Sequence, residues 1–453
     1  MRTLAALILA VALWDSPALA QEAGKEPPKP ITLDQALETA FRESPVIKAA
    51  LAQVDKAKGG ISEANANFNP KFNGELTHTR QGPTISFSVP GLGTTDVVQE
   101  QNTTGVASFL LPIDVSKKLG YITDIAKYQF QLDYLALLSV SQKLIFDVKT
   151  AYYDLLRAQG QEQVAQSTVD VANARLKDAT ARYSVGSAPK FDVTRAQVDV
   201  ANFNQQLIRG KSRVGIARAA LNRVLGIDVN APTEIVRSEI TIENIKVDVD
   251  KSTQGAYAKR PEVMSARTVI DLSKKNVRLQ RTAILPTLTA TADYTYNFRL
   301  AGFSPTNQSW IAILDLKMPI WDGGVTRAKV DQANADVAKS LQSLDSVKLG
   351  VGFDVKTAAL VLQEGIERVA TTSENVALAE ETLRLATVRY NGGISTMVEV
   401  TDAESALTQA KVDWVNSRYD YVLGLAGLDR ATGNQPELAK LQLLASEPAT
   451  QRR

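Results

Sequence analysis

Two spacings of apolar residues divide this chain. From Thr287 the sequence TLTATADYTYNF alternates. Leu288, Ala290, Ala292, Tyr294, Tyr296 and Phe298 fall on one face, and Thr287, Thr289, Thr291, Asp293, Thr295 and Asn297 on the other. After a turn near Gly302–Asn307, Trp310, Ala312, Leu314, Leu316 and Met318 share a face up to Pro319. A period of two is the mark of an extended strand, so a β-hairpin is predicted over about 287–318. Phe72–Arg80 and Gly105–Pro112, on either side of a Gly/Pro/Thr-rich loop, predict a weaker hairpin over about 71–112. Elsewhere the spacing is helical. One pattern runs from Pro112 to about Tyr183, on the order of 100 Å at 1.5 Å per residue, and a return helix ends near Gly226. A rod of that length is stable only when packed on other helices. Its Ala, Val, Leu and Gln content, with few large aromatics, suits close helix–helix contact.

The chain then does the same again. Ala172–Gly226 aligns without gaps on Ala379–Gly433, at a constant offset of 207 positions. Arg182-Tyr183-x-x-Gly186 recurs as Arg389-Tyr390-x-x-Gly393, and Leu221-x-Arg223-x-x-Gly226 as Leu428-x-Arg430-x-x-Gly433. Pro112 and Pro319 share that offset, while Pro45 and Pro261, like Pro70 and Pro286, lie 216 apart. The first hairpin loop is therefore the longer. A doubled sequence predicts a doubled structure. The first repeat spans 31–226 and the second 256–433, with long rods over 112–183 and 323–391. Between them 227–255, where Ile240, Ile242, Ile245, Val247 and Val249 sit among charges, reads as a small strand-and-loop insert.

Local chemistry marks the ends. Thr32-Leu-Asp-Gln35 is a capping box opening a short helix to about Glu43, and Ser44-Pro45 starts the next, which Asn69-Pro70 stops. Each rod turns at a tip, about 184–190 and 391–396. Gly186, Gly392 and Gly393 supply tip geometry. Ser187 is the expected N-cap of the first return helix, and Thr396-x-x-Glu399 a capping box for the second.

The N-terminus reads as an export signal: Arg2, an apolar run from Leu4 to Trp14, then Ala18-x-Ala20, so cleavage is expected between Ala20 and Gln21. Gln21–Pro30 reads as a flexible lead and Asn434–Arg453 as a disordered polar tail. The chain has no cysteine and a net charge of +2, which argues against thiolate metal sites and a nucleic-acid partner. His78 is the sole histidine. No Gly-rich phosphate loop and no Ser/His/Asp arrangement is present, so no cofactor and no enzyme activity are expected. No stretch is apolar for 18 residues, yet an exported chain can enter an outer membrane through strands. A half-buried hairpin of a soluble sheet has the same period, which leaves a periplasmic helical scaffold as the alternative. The signal, and the lack of another sheet to pack on, favour the membrane. Two hairpins give four strands, too few to close a barrel, so the membrane reading requires several copies.

The tips RYSVGSAPKFDV (182–193) and RYNGGISTMVEV (389–400) behind long rods, the hairpins ending at Pro112 and Pro319, and the openings ITLDQALETAFRESP (31–45) and AYAKRPEV (256–263) resemble the TolC family of outer-membrane efflux proteins. The resemblance covers about 31–433. It implies a mainly α chain with membrane β-hairpins. Three copies would form a twelve-stranded barrel in outer-membrane lipid, four strands per chain, on a long α-helical periplasmic barrel. It implies a duct docked on a periplasmic adaptor and an inner-membrane RND or ABC-type pump, in multidrug efflux or type I secretion. By the same resemblance Glu399 and Asp402 match acidic rings at the tunnel entrance. Both also suit a helix N-terminus as dipole partners. Asp192 and Tyr390 match a bond that holds the entrance shut, whereas the family's basic residue falls on Ser395. The tip residues Gly186, Ser187, Gly392, Gly393 and Ser395 match the region where adaptors dock.

Overall fold

The computed structural model describes residues 30–83, 85–89, 93–98, 100–237, 240–299 and 306–437. The expected signal, the cleavage site at Ala20 and Gln21, most of the lead, most of the tail and most of the turn at 302–307 lie outside them.

Helix α1 (Leu33–Glu43) opens with the Thr32/Gln35 capping box: Gln35 N–H donates to Thr32 Oγ1, and Thr32 N–H to Gln35 Oε1. Helix α2 (Pro45–Ala66) follows, with Pro45 in its first turn, where no amide donor is needed. Strands β1 (Lys71–Arg80), β2 (Ile85–Val89), β3 (Gly93–Val98) and β4 (Gln101–Ile113) lead into α3 (Lys118–Ser184) and α4 (Lys190–Leu225). The second half repeats the order: α5 (Val249–Lys259), α6 (Pro261–Arg281), a 3₁₀ turn at Thr282–Ile284, β5 (Thr287–Asn297), β6 (Gln308–Lys317), α7 (Val325–Asn391) and α8 (Met397–Thr432). The long helices match to the residue. Both α3 and α7 have 67 residues, and both α4 and α8 have 36.

One sheet has the antiparallel order β1-β4-β5-β6, so the two expected hairpins join through β4 and β5. β1 and β6 are its open edges. Phe72, Leu76, Trp310, Leu314 and Leu316 stand exposed on them. The Gly/Pro/Thr-rich loop holds a second hairpin, β2–β3, which its composition hides, because strand signals there are interrupted by glycines.

The core sits where the short helices meet the rods. Leu37 and Ala40 of α1 pack on Ile145, Val148, Tyr152 and Leu155 of α3 and on Leu221 and Leu225 of α4. Val355 of α7 forms a smaller equivalent with Ala256 and Val263. The stretch expected as a strand-and-loop insert contributes one isolated parallel bridge, Ile31 to Ile235, and Tyr152 Oη donates to the Val236 carbonyl beside it. Ile240 and Val247 pack irregularly against Leu362, Val369 and Tyr421, and α5 begins inside the insert, capped by Asp248. The start of the tail is docked rather than loose. Gln435 is buried, its Nε2 donating to the Gln142 carbonyl, and Glu437 pairs with Lys149 at 2.8 Å. Burial of these polar groups against α3 is a tertiary event with no local signature.

Candidate functional site at the helical tips

Each rod ends in the same way. Gly186 N–H donates to the Tyr183 carbonyl (3.0 Å) and Ser187 N–H to that of Arg182 (2.9 Å). Gly393 N–H donates to Tyr390 (3.0 Å) and Ile394 N–H to Arg389 (2.9 Å). This is a Schellman cap, whose turn residue is left-handed. Gly186 (φ 75) and Gly393 (φ 72) fill it. Gly392 lies in the right-handed helical region (φ −79) and needs no glycine.

Two expected caps are corrected. Ser187 does not cap α4. Its Oγ donates to the Arg182 carbonyl and finishes α3 instead, because the chain must still turn through Pro189 before α4 starts. Thr396 stands at the N-cap of α8 in an extended conformation but accepts no side-chain bond, so the Thr396/Glu399 box does not form. Ser395 Oγ reaches only the neighbouring Thr396 carbonyl, at 3.4 Å.

The tips meet through a hydrogen bond. Tyr390 Oη donates to Asp192 Oδ2 at 2.8 Å, and Asp192 is buried. Burial, then the Asp192 carboxylate, push the Tyr390 hydroxyl up to about 12, so it stays a donor at neutral pH. Arg182 sits over the Tyr390 ring at 5.8 Å and donates to Asn391 Oδ1 (2.9 Å) and to Asp178 (2.9 Å). Met397 is buried between Ala179 and Ala196 below this bond. Glu399 and Asp402 are exposed on the first turns of α8 and make no side-chain hydrogen bond or ion pair among the described residues. The structure therefore brings Asp192 and Tyr390 together and leaves the two acids apart from them.

Beyond the tips runs a clasp that the sequence did not reveal. Thr401 Oγ1 donates to Asp199 Oδ2 (3.1 Å), and Arg195 lies 3.6 Å from Asp199. Arg175 forms an ion pair with Glu404, whose side chain is 5% exposed. Burial raises the Glu404 carboxyl above its ordinary range, with Arg175 opposing and Asp199 reinforcing. Further along, Thr168 meets Thr408 (3.2 Å), Gln161 Nε2 donates to Asn416 Oδ1 (2.7 Å) and Arg157 to Asp420 Oδ1 (2.8 Å). Asp420 also accepts from Arg368 at 3.1 Å. Polar residues at 157, 161, 168 and 175 recur every four or seven positions on one face of α3. That spacing is the single trace of the clasp in the sequence, because the partners lie more than 200 residues away. Among the described residues no His/Cys/Asp/Glu group could hold a metal, and His78 Nδ1 sits 2.9 Å from Thr103 Oγ1 in the sheet.

Paired helical hairpins of about 100 Å, clasped side by side and standing on a sheet that is open at both edges, define a stave of a membrane-anchored tube. This chain belongs to the outer membrane efflux protein family, whose pattern matches residues 36–227 and 253–434. It is 24% identical to outer membrane protein TolC of Escherichia coli strain K12 over 439 residues, covering 92% of this chain and 86% of that one. Among solved structures, it superposes on CusC with a TM-score of 0.77 at 18% identity (92% of this chain, 96% of the other). It superposes on CmeC of Campylobacter jejuni with a TM-score of 0.75 at 15% identity (97% of each). The chain is thus an outer-membrane efflux protein with a long periplasmic helical extension, not an enzyme and not a soluble scaffold. No helix among the described residues is long and apolar enough to cross a membrane.

Proposed function

We propose that the chain is the exit duct of a tripartite efflux or type I secretion system. Three copies form a twelve-stranded barrel and a helical tunnel, which passively conducts substrate delivered by an inner-membrane RND or ABC-type pump through a periplasmic adaptor. The observation that carries this reading is the four-stranded sheet, open along β1 and β6, with Trp310 78% exposed on its edge. In lipid such edges must be paired by further strands. Energy for transport comes from the partner pump.

The tips are the periplasmic entrance in this proposal. The Tyr390–Asp192 bond holds it closed, aided by the Arg175–Glu404 pair. The clasp takes over the part played in the family by the basic residue that is missing at Ser395. Glu399 and Asp402, exposed and unpaired among the described residues, supply negative potential at the mouth and favour cations. Gly186, Ser187, Gly392 and Gly393 form the surface offered to the adaptor.

Single-channel recording in planar bilayers tests this. The expected result is a small cation-selective conductance that rises in Asp192→Ala and loses selectivity in Glu399→Ala/Asp402→Ala. Membrane-embedded protein without conductance in any variant overturns the duct.

A further inference from the structure

A groove of about 680 Å³ runs between the two hairpins of the chain, with α3 as one wall and α7 and α8 as the other. Glu404 and Arg418 both line it, fourteen positions apart on α8, so it is about 20 Å long. Gly160 lets α3 and α8 close on each other along it, since a Cβ there would stand 3.0 Å from Val415. Val164, Val171, Val376, Leu383 and Leu407 give it apolar sides. The walls are helices, whose backbone donors and acceptors are used within each helix. Recognition in the groove therefore falls to side chains.

Most of the polar ones are spent on each other. Lys411 pairs with Glu380 at 3.1 Å, Thr168 meets Thr408, and Glu404 pairs with Arg175. The end away from Glu404 differs. Arg237 reaches in from the insert, its Nη1 donating to Gln163 Oε1 at 3.0 Å. Arg418 lies over the Trp414 ring at 4.9 Å. Neither arginine has a carboxylate partner among the described residues. Burial raises the Tyr419 hydroxyl above its ordinary range, and Arg418, Arg237 and Arg157 oppose it, which places the guanidiniums together at this end. The groove is apolar along its length and cationic at one end.

We propose that this groove binds a long-chain carboxylate of the fatty-acid type, its head between Arg237 and Arg418 and its chain laid along α3 and α8 toward Val171 and Leu407. A carboxylate accepts from guanidinium forks, and a narrow apolar groove holds a chain that carries no polar groups of its own. A peptide would leave its amides unpaired against these walls. A cationic amphiphile would meet Arg237 and Arg418 head on. The site is built from one chain, so it stands or falls independently of the duct reading.

Trp414 is the reporter for the test. In full-length protein in lipid nanodiscs, Trp310→Phe and Trp321→Phe remove the other tryptophans outside the expected signal. Energy transfer from Trp414 to dansylaminoundecanoate is expected to saturate, and to be reversed by decanoate but not by decylammonium. Arg237→Glu is expected to weaken binding about tenfold or more. Val171→Phe, which narrows the groove away from the head, weakens it too. Both positions are exposed, so these variants keep the fold even where Arg418→Gln does not. Transfer that does not saturate, or that is unchanged in Arg237→Glu and Val171→Phe, is partition into lipid and overturns the site. Reversal by an acidic peptide but not by decanoate gives the groove to a protein partner and overturns it as well.

Discussion

The two helical hairpins, α3–α4 and α7–α8, have equal lengths, yet the first rod is buried twice as heavily as the second. α3 buries eighteen residues, among them Ile145, Tyr152 and Leu155. α7, equally long, buries nine. Tyr390 at the second tip is tied to Asp192, whereas its counterpart Tyr183 is 46% exposed and Glu399, the counterpart of Asp192, is unpaired among the described residues. The difference teaches that the repeat specifies a stave and the chain supplies two of them. One seam is closed within the chain, and the other face stays uncovered there.

The end of α4 against α1 and the tip of α3 give the sharpest test of that comparison. Gly226 and Gly186 both end a helix with positive φ, 78° and 75°. A Cβ at Gly226 would stand 2.9 Å from the backbone of Glu43 and Ser44, whereas none at Gly186 meets anything within 4 Å. Gly186→Ala is expected to cost roughly 1–2 kcal/mol for the left-handed backbone alone. Gly226→Ala adds a clash against α1 that backbone cannot relieve. Thermal unfolding should fall far more for Gly226→Ala, and equal losses would refute the close approach.

Next in size is the latch. Tyr390→Phe removes a hydrogen bond to a buried carboxylate, worth about 1.5–3 kcal/mol, and should raise the open fraction seen in single-channel recording. Tyr183→Phe, which removes no such bond, should leave conductance unchanged. An equal effect at both tyrosines would erase the asymmetry between the tips.

The buried pair beyond the latch predicts a pH dependence. The Glu404 carboxyl is raised above its ordinary 4.5 by burial, so the clasped state holds its proton at pH values where a solvated carboxyl has lost it. Clasp stability therefore rises as pH falls through the window above 4.5, and declines as pH rises through the raised value. Arg175 favours the ionised form and Asp199 the protonated one. Acidification within that window is expected to reduce channel openings, and Glu404→Gln should flatten the dependence. An unchanged pH profile in Glu404→Gln would remove this residue from gating.

The smallest effect belongs to the exposed surface. Lys143 and Asp147 form an i,i+4 pair at 2.6 Å on α3, and the corresponding α7 positions hold Gly350 and Asp354, the latter paired with Arg260. Lys143→Ala should change unfolding by less than about 0.5 kcal/mol. A larger loss would mean that this face of α3 is covered in the assembly.

Sequence alone determined the elements that depend on neighbours along the chain. Helix lengths followed from apolar spacing, and the rods end where Gly186, Gly226, Gly393 and Gly433 permit a left-handed turn. The hairpin at 287–318 was legible because alternation is imposed by the pleat. At the tips, Asp192 and Tyr390 were reached through family resemblance, and their bond is now given a length. Contacts between distant segments were decided by the tertiary structure. Ser187 serves α3 rather than α4, Thr396 caps without its side chain, and the Gly-rich loop folds as β2–β3. Gln435 and Glu437 dock on α3, and Arg175 finds Glu404 across 229 residues. A polar side chain on a rod looks the same in sequence whether it faces water or a partner. Only the packing of one hairpin on another supplies the low dielectric and the acceptor that turn Arg175 and Glu404 into a clasp.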